Sequence, residues 1–161
     1  MLPVFDGHND ALTRGDHALL VDGRPEGDLD LPRMRAGGIR GAIFAVFSEQ
    51  DGSAEHVLVP RDDGVIEFEY APPLDHAFAA AHAAAAAGRL LALEREGHLR
   101  VARRASDLDA ARDDGTPPVA VLHLEGAEAL DPDLEALELW YAAGLRSLGP
   151  VWSRANAFAF G

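Results

Sequence analysis

The apolar run VAVLHL, residues 119–124, constrains the fold of this chain more than any other segment. Only His123 interrupts it, and a strand that is apolar on both faces is typical of the buried strands of parallel sheets. Strand-like and helix-like segments alternate along much of the remaining sequence, which predicts an α/β fold. In such folds ligands bind at the carboxyl ends of the strands, so we expect a functional site there.

The other predicted elements form a regular series. Strands are predicted at residues 2–5, at 39–48, from residue 99 and from residue 145, and helices at 30–36, 74–97, 106–112 and 133–143. Asp30 is suited to cap the first helix, and Pro32 lies in its first turn. The 161 residues are enough for one domain with a substantial core.

Residues at about 55–72 depart from this alternation. The segments HVLVP and VIEFEY are separated by Arg61-Asp62-Asp63-Gly64, and Asp-Gly is a frequent pair in the turns of β-hairpins. We interpret this stretch as a hairpin inserted into the main fold.

The motif FDGHND, residues 5–10, places several polar groups directly after an apolar segment. A turn would account for Asp6, Gly7 and Asn9 but not for His8 and Asp10. Residues two apart on a strand point to the same side, so the last two would face one target together. An imidazole and a carboxylate are suitable ligands for zinc and similar divalent ions.

A second polar group follows the buried strand at 119–124. Glu125 stands at the tip of that strand and Gly126 follows it, so Glu125 is expected at the same edge as FDGHND. His123 would share the face of Glu125 on an extended strand. We interpret His123 as a residue of the barrel interior or the second layer of the site rather than as a metal ligand.

The composition excludes several functions. The formal net charge is -13, and the basic residues are all Arg, which argues against nucleic acid or an anionic membrane surface as a partner. The chain has no Cys, so any catalytic metal would be held by His, Asp or Glu. No signal peptide and no membrane-spanning run is recognisable, which predicts a cytoplasmic protein.

Three motifs in order carry a resemblance to a known family. They are FDGHND near the start, HLEGAEAL at 123–130 and GLRSLGPVWSRANAF at 144–158, and with them the chain resembles the renal (membrane) dipeptidase family of metallopeptidases. The resemblance implies a (β/α)8 TIM-type barrel of the amidohydrolase-like kind with two zinc ions. By the same resemblance, His8 and Asp10 bind one metal and Glu125 bridges both.

The resemblance also implies an activity. The complete enzyme would be a zinc-dependent dipeptidase, a homodimer that hydrolyses the peptide bond of small dipeptides through a hydroxide bridging the metals. Glu125 would be catalytic, and Trp152 and Asn156 would bind the substrate. Mammalian relatives have a substrate-contacting His in the segment that aligns with VWSRAN, where this chain has Trp152, so an identical substrate preference is not implied.

The chain is shorter than a complete barrel. A (β/α)8 barrel takes about 250 residues, so residues 1–161 are expected to form the N-terminal half of one barrel domain. The family's two further His ligands and its substrate-binding Arg and Asp lie in the later half. We therefore expect no activity without that half, and association through an open sheet edge.

Two alternatives to a dipeptidase stay open. One is an amidohydrolase for another small amide, and the other is an incomplete chain that serves only in metal binding or assembly.

Overall fold

The computed structural model describes residues 2–48, 57–69 and 72–161. The strands are β1 (Val4–Asn9), β2 (Ile39–Val46), β3 (Val57–Pro60), β4 (Ile66–Glu69), β5 (Arg100–Val101), β6 (Val119–Glu125) and β7 (Leu145–Gly149). The α-helices are α1 (Leu31–Ala36), α2 (His76–Arg95) and α3 (Leu137–Ala143), with 3-10 helices at His17–Leu19 and Ala105–Arg112.

The main sheet contains five strands in the order β1, β2, β6, β5, with β7 also paired to β6. Every pairing in this sheet is parallel. The strand predicted from the apolar run is β6, which lies between β2 on one side and both β5 and β7 on the other. The predicted α/β architecture with a parallel sheet is therefore confirmed.

The two faces of β6 differ in burial. Ala120, Leu122 and Leu124 are buried, whereas the intervening Val121, His123 and Glu125 are only partly buried. The buried set belongs to the main core, together with residues of β2 and α2, and α2 packs against both strands. The core thus lies between the sheet and the helices, and His123 and Glu125 occupy the other face of β6.

Aspartate side chains cap two helices, of which the cap by Asp30 was predicted. The Asp30 side chain accepts a hydrogen bond from the backbone nitrogen of Arg33 at 2.7 Å, at the start of α1. The Asp75 side chain accepts from the nitrogen of Phe78 at 2.9 Å, so α2 begins at His76 rather than at residue 74. Such caps satisfy backbone donors that have no partner within the helix.

Other predicted boundaries were wrong as well. The first strand runs from Val4 to Asn9 rather than over residues 2–5, because its parallel ladder with β2 continues to the pair Asn9 and Phe44. The last helix begins at Leu137 rather than at residue 133. Leu134 has a φ of 61°, a left-handed conformation that cannot be part of a right-handed helix.

The predicted hairpin is present as β3 and β4, which pair antiparallel. Gly64 adopts a φ of 82° at the turn, and its nitrogen donates to the Arg61 carbonyl at 3.0 Å. Glycine reaches this conformation without a steric penalty. The predicted limits of the insertion fall partly on residues 55–56 and 70–71, which lie outside the described residues, and its role as an insertion stays a prediction.

Candidate metal centre

Three side chains converge at the carboxyl edge of the main sheet. His8, Asp10 and Glu125 each offer one ligand atom, and these atoms lie within 4.8 Å of one another. His8 Nε2 is 3.1 Å from Asp10 Oδ1 and 3.4 Å from Glu125 Oε2. The structure therefore brings together the residues that the sequence predicts as metal ligands, from strands that are far apart in the chain.

The chain around His8 is held by Asp6 and Asn9. Asn9 Nδ2 donates to Asp6 Oδ2 at 2.9 Å and to the Ile43 carbonyl of β2 at 3.1 Å. The backbone nitrogen of His8 donates to Asp6 Oδ1 at 3.2 Å. The β1 ladder is irregular between Asp6 and Asn9, so these side-chain hydrogen bonds fix the backbone where the regular pattern is interrupted. Sequence reasoning treated both residues as turn formers and missed this role.

Glu125 ends a strand that is paired on both sides. It is the last residue of β6, and its register partner in β7 is Gly149. The chain then leaves the strand at Gly126, which has a φ of 87° and donates its N–H to the Gly149 carbonyl at 3.0 Å. The Glu125 side chain is 22% exposed, compared with 45% for His8, so the carboxylate lies at the sheltered side of the cluster.

His123 lies beside the cluster but outside the group of three. Its Nδ1 is 2.8 Å from Ser147 Oγ on β7, and its ring stands edge-on to the His8 ring at 6.0 Å between centroids. Burial lowers the pKa of His123 below its ordinary value, although the negative charge of Glu125 acts in the opposite direction. The hydrogen bond to the Ser147 hydroxyl and the lowered pKa of His123 fit its predicted place beside the proposed ligands rather than among them. This role of His123 stays a prediction. The Ser147 partner was not foreseen, because it depends on the register of β6 and β7.

The predicted substrate-binding residues follow β7. Trp152 is 68% exposed. Asn156 Nδ2 donates to the Pro150 carbonyl at 2.8 Å, and its Oδ1 accepts from the backbone nitrogen of Phe158 at 2.9 Å. Asn156 also lines a cavity of about 160 Å³ with Glu128, from the loop that follows Glu125. Their roles in substrate binding stay predictions.

The ligand chemistry of the cluster fits a divalent cation. The group combines one imidazole nitrogen with two carboxylates, and a cation offsets the repulsion between the two negative charges. Imidazole and carboxylate suit zinc and neighbouring transition metals. A carboxylate has two oxygens, so Glu125 could contact a second ion as well as the first.

A parallel sheet with helices on its core face and a His, Asp and Glu group at its carboxyl edge defines this chain as an α/β protein with a candidate metal-binding group at the carboxyl ends of its strands. The family model "Membrane dipeptidase (Peptidase family M19)" matches residues 1–161. The chain therefore belongs to the membrane dipeptidase family, and the predicted resemblance is confirmed.

Solved structures of that family are similar to the chain. The dipeptidase AC, a metallo peptidase of family M19, is 37% identical with a TM-score of 0.82, over 99% of this chain and 47% of that one. A metallo peptidase from Rhodobacter sphaeroides, liganded with a phosphinate mimic of the dipeptide L-Ala-D-Ala, is 36% identical with a TM-score of 0.82. The match covers 99% of this chain and 48% of that protein. The fold is thus the mixed α/β fold, with a mostly parallel sheet, of these TIM-barrel-type dipeptidases, and this chain covers about half of their length.

Curated relatives include an uncharacterized protein from the PQQ-III 3' region of Acinetobacter calcoaceticus, 30% identical over 99% of this chain and 52% of that protein. The chain spans about half the length of this relative and of the two dipeptidase structures. Within the described residues, no helix is long and apolar enough to span a membrane.

Proposed function

We propose that this chain provides one metal-binding half of a zinc-dependent dipeptidase, which hydrolyses the peptide bond of small dipeptides. The observation that carries the proposal is the convergence of His8, Asp10 and Glu125 within 4.8 Å, in a chain that belongs to the membrane dipeptidase family. When bound, a pair of divalent ions supplies Lewis-acid activation of water and of the scissile carbonyl.

The proposed ligands of this chain would have different roles. His8 and Asp10 would hold one ion, and Glu125 would hold the same ion and reach towards the second with its other oxygen. The partly buried position of Glu125 supports this role, because a carboxylate shielded from water interacts more strongly with cations than an exposed one. Trp152 and Asn156 would border the bound dipeptide.

The substrate class rests on the relatives. The Rhodobacter sphaeroides structure holds a phosphinate mimic of a dipeptide, and that protein is 36% identical to this chain. This chain covers 48% of that protein, so the proposed activity belongs to an enzyme in which the barrel is complete. We further propose a cytoplasmic location and a homodimer for that enzyme, with neither nucleic acid nor membrane as a partner.

Two other functions are distinguishable by experiment. An amidohydrolase for another small amide would bind metal equally well but would prefer N-acyl amino acids in a substrate panel. A chain that serves only in metal binding or assembly would bind zinc and cleave none of the panel.

Glu125→Gln tests the proposal, because the amide has the same shape but lacks the charge. Residues that only support a metal ligand are typically worth about 10–100-fold in metal affinity, so loss of a ligand should lower zinc affinity by at least about 100-fold. Zinc titration of the purified chain measures this without requiring a complete barrel. Glu138→Gln, the same change at an exposed position of α3, is the matched control.

Activity provides the second measurement in a polypeptide that carries the whole barrel. Glu125→Gln should abolish most dipeptide hydrolysis. Activity within about tenfold of the parent, a barrier difference of only about 1.4 kcal/mol, would refute a bridging role. Unchanged zinc affinity would refute the metal site itself.

A further inference from the structure

Asp10 lies one residue beyond the end of β1, which finishes at Asn9. Its side chain is 51% exposed, so neither the sheet ladder nor close packing fixes the position of its carboxylate. A metal ligand must nevertheless be held closely, because a site that is loose by about 1 Å loses its function. The segment that follows Asp10 is therefore where a positioning device is needed.

The Asp10 carbonyl is held by Thr13, a residue of the same segment. It accepts hydrogen bonds from the backbone nitrogen of Thr13 and from Thr13 Oγ1, both at 3.1 Å. These bonds close a tight turn directly after the ligand. Thr13 is itself buried, so the position of this turn depends on what packs around it.

Two arginines hold the next two carbonyls. Arg24 Nη2 donates to the Ala11 carbonyl at 2.6 Å, and Arg89 Nη1 donates to the Leu12 carbonyl at 2.6 Å. Ala11 and Leu12 are buried, where a carbonyl without a donor is costly. Three consecutive carbonyls after β1 thus each have a side-chain donor.

The two arginines come from different parts of the fold. Arg24 is buried in the loop before α1, where its Nη1 also donates to the Leu29 carbonyl at 3.1 Å and its Nε lies 3.4 Å from Asp16 Oδ1. Arg89 belongs to α2, the helix that packs on the core face of β2 and β6. Since β6 carries Glu125, Arg89 connects the segment after Asp10 to the same structural unit that carries the other carboxylate.

We propose that Arg89 is a positioning residue of the metal centre: through the Leu12 carbonyl it fixes the turn that carries Asp10 relative to Glu125. Arg24 acts in the same way through the Ala11 carbonyl, but its further contacts within the loop make it the less specific probe. This inference rests on the proposed function of His8, Asp10 and Glu125 as metal ligands.

The test is zinc titration of the purified chain with competing chelator, for the parent and for Arg89→Met and Arg89→Lys. Methionine keeps the helix propensity and the apolar stem but removes the donor. We expect Arg89→Met to lower zinc affinity by about 10–100-fold, the range for residues that orient metal ligands. Lysine can donate one hydrogen bond to a carbonyl, so Arg89→Lys should recover at least half of the loss on a logarithmic scale.

Arg95→Met is the matched control, because Arg95 lies in the last turn of the same helix and its side chain is 76% exposed. It should leave zinc affinity unchanged. Thermal unfolding of each variant in chelator reports the effect on the metal-free fold. A role restricted to packing would lower that melting temperature while zinc affinity stays within twofold of the parent, and this result would overturn the proposal.

Arg89→Gln should lower zinc affinity by the same factor as Arg89→Met. Glutamine is polar and has good helix propensity, so this variant provides the test if Arg89→Met does not fold. The two proposals fail in different ways. A parent chain that binds no zinc would refute the metal site and the positioning role together. A parent that binds zinc, with affinity lost in Glu125→Gln but kept in Arg89→Met and Arg89→Gln, would refute the positioning role alone.

Discussion

The ion pair between Glu94 and Arg103 connects the end of α2 to the segment after β5. Arg103 Nη1 and Nη2 donate to the two Glu94 carboxylate oxygens at 2.7 Å each, in a bidentate pair. Glu94 Oε1 also accepts from the backbone nitrogen of Val101 at 3.0 Å. We predict that Glu94→Gln destabilises the chain, because glutamine has one acceptor oxygen and no charge to offer these donors.

The size of the effect follows from geometry and exposure. A hydrogen bond to a charged group contributes about 1.5–3 kcal/mol in favourable sites. The two side chains are 27% and 38% exposed, and solvent screening reduces the contribution of exposed pairs. We therefore expect a loss of about 1–2 kcal/mol, which lowers the melting temperature of a chain of this size by about 2–8 °C.

The dependence on pH provides a second check. The hydrogen bonds from Arg103 hold the pKa of Glu94 below its ordinary value. A carboxylate with a lowered folded-state pKa stabilises the fold above its unfolded pKa of about 4.3, and this contribution is lost as the pH falls through the lower folded-state value. The difference in melting temperature between the parent and Glu94→Gln should have its largest value at pH 7 and should become smaller below about pH 4.

Thermal unfolding followed by circular dichroism, at a fixed scan rate and at pH 7 and pH 3, measures both effects. Glu96→Gln is the control, because Glu96 is 52% exposed and its nearest cation, Arg95, is 3.4 Å away. Its effect should stay within about 0.5 kcal/mol, as for most surface substitutions. Equal melting temperatures for Glu94→Gln and the parent at pH 7, or a difference that grows at pH 3, would refute the reasoning.

Three further predictions concern the site and the backbone. His8→Ala should remove most of one metal equivalent, and undiminished zinc by elemental analysis would contradict its assignment as a ligand. Trp152→His, measured in a polypeptide with the whole barrel, should change the preference among dipeptides more than the melting temperature; the reverse result would assign Trp152 to packing. Gly144→Ala should cost about 1–3 kcal/mol, because Gly144 has a φ of 121° and a methyl group there would lie 2.8 Å from Val101 Cγ1. Gly88→Ala in α2 is its control, since a methyl group there meets no atom within 4 Å, and the melting temperatures of the two variants should shift in opposite directions.

The start of a helix with a local cap was predictable, whereas the end of a strand that is set by its pairing was not. The start of α1 follows from Asp30, whose cap involves a residue three positions away. The end of β1 at Asn9 depends on its ladder with β2, a partner more than thirty residues away, and was misplaced. The convergence of His8 and Glu125 was nevertheless predictable, because parallel strands end at a common edge.

The supports of the ligands were the part of the site that the sequence did not reveal. Arg24, Arg89 and Ser147 form no motif with the residues that they contact. Arg89 and Leu12 are 77 positions apart, and His123 and Ser147 are 24 apart. Each contact requires both the register of the sheet and the rotation of a neighbouring element, neither of which follows from hydrophobic periodicity alone.

These supports are arranged asymmetrically around the candidate metal centre. Glu125 is carried by β6, which has paired strands on both sides, whereas β1 pairs only with β2 in the part of the chain that the structure describes. Backbone at the edge of a sheet lacks the second ladder that restrains a central strand. On this side, side-chain hydrogen bonds hold the backbone around the proposed ligand Asp10, from Asn9 to the Ile43 carbonyl before it and from Arg89 to the Leu12 carbonyl after it. Since both acceptors are backbone carbonyls, the support acts on the path of the chain and occupies neither oxygen of the Asp10 carboxylate, the proposed metal ligand.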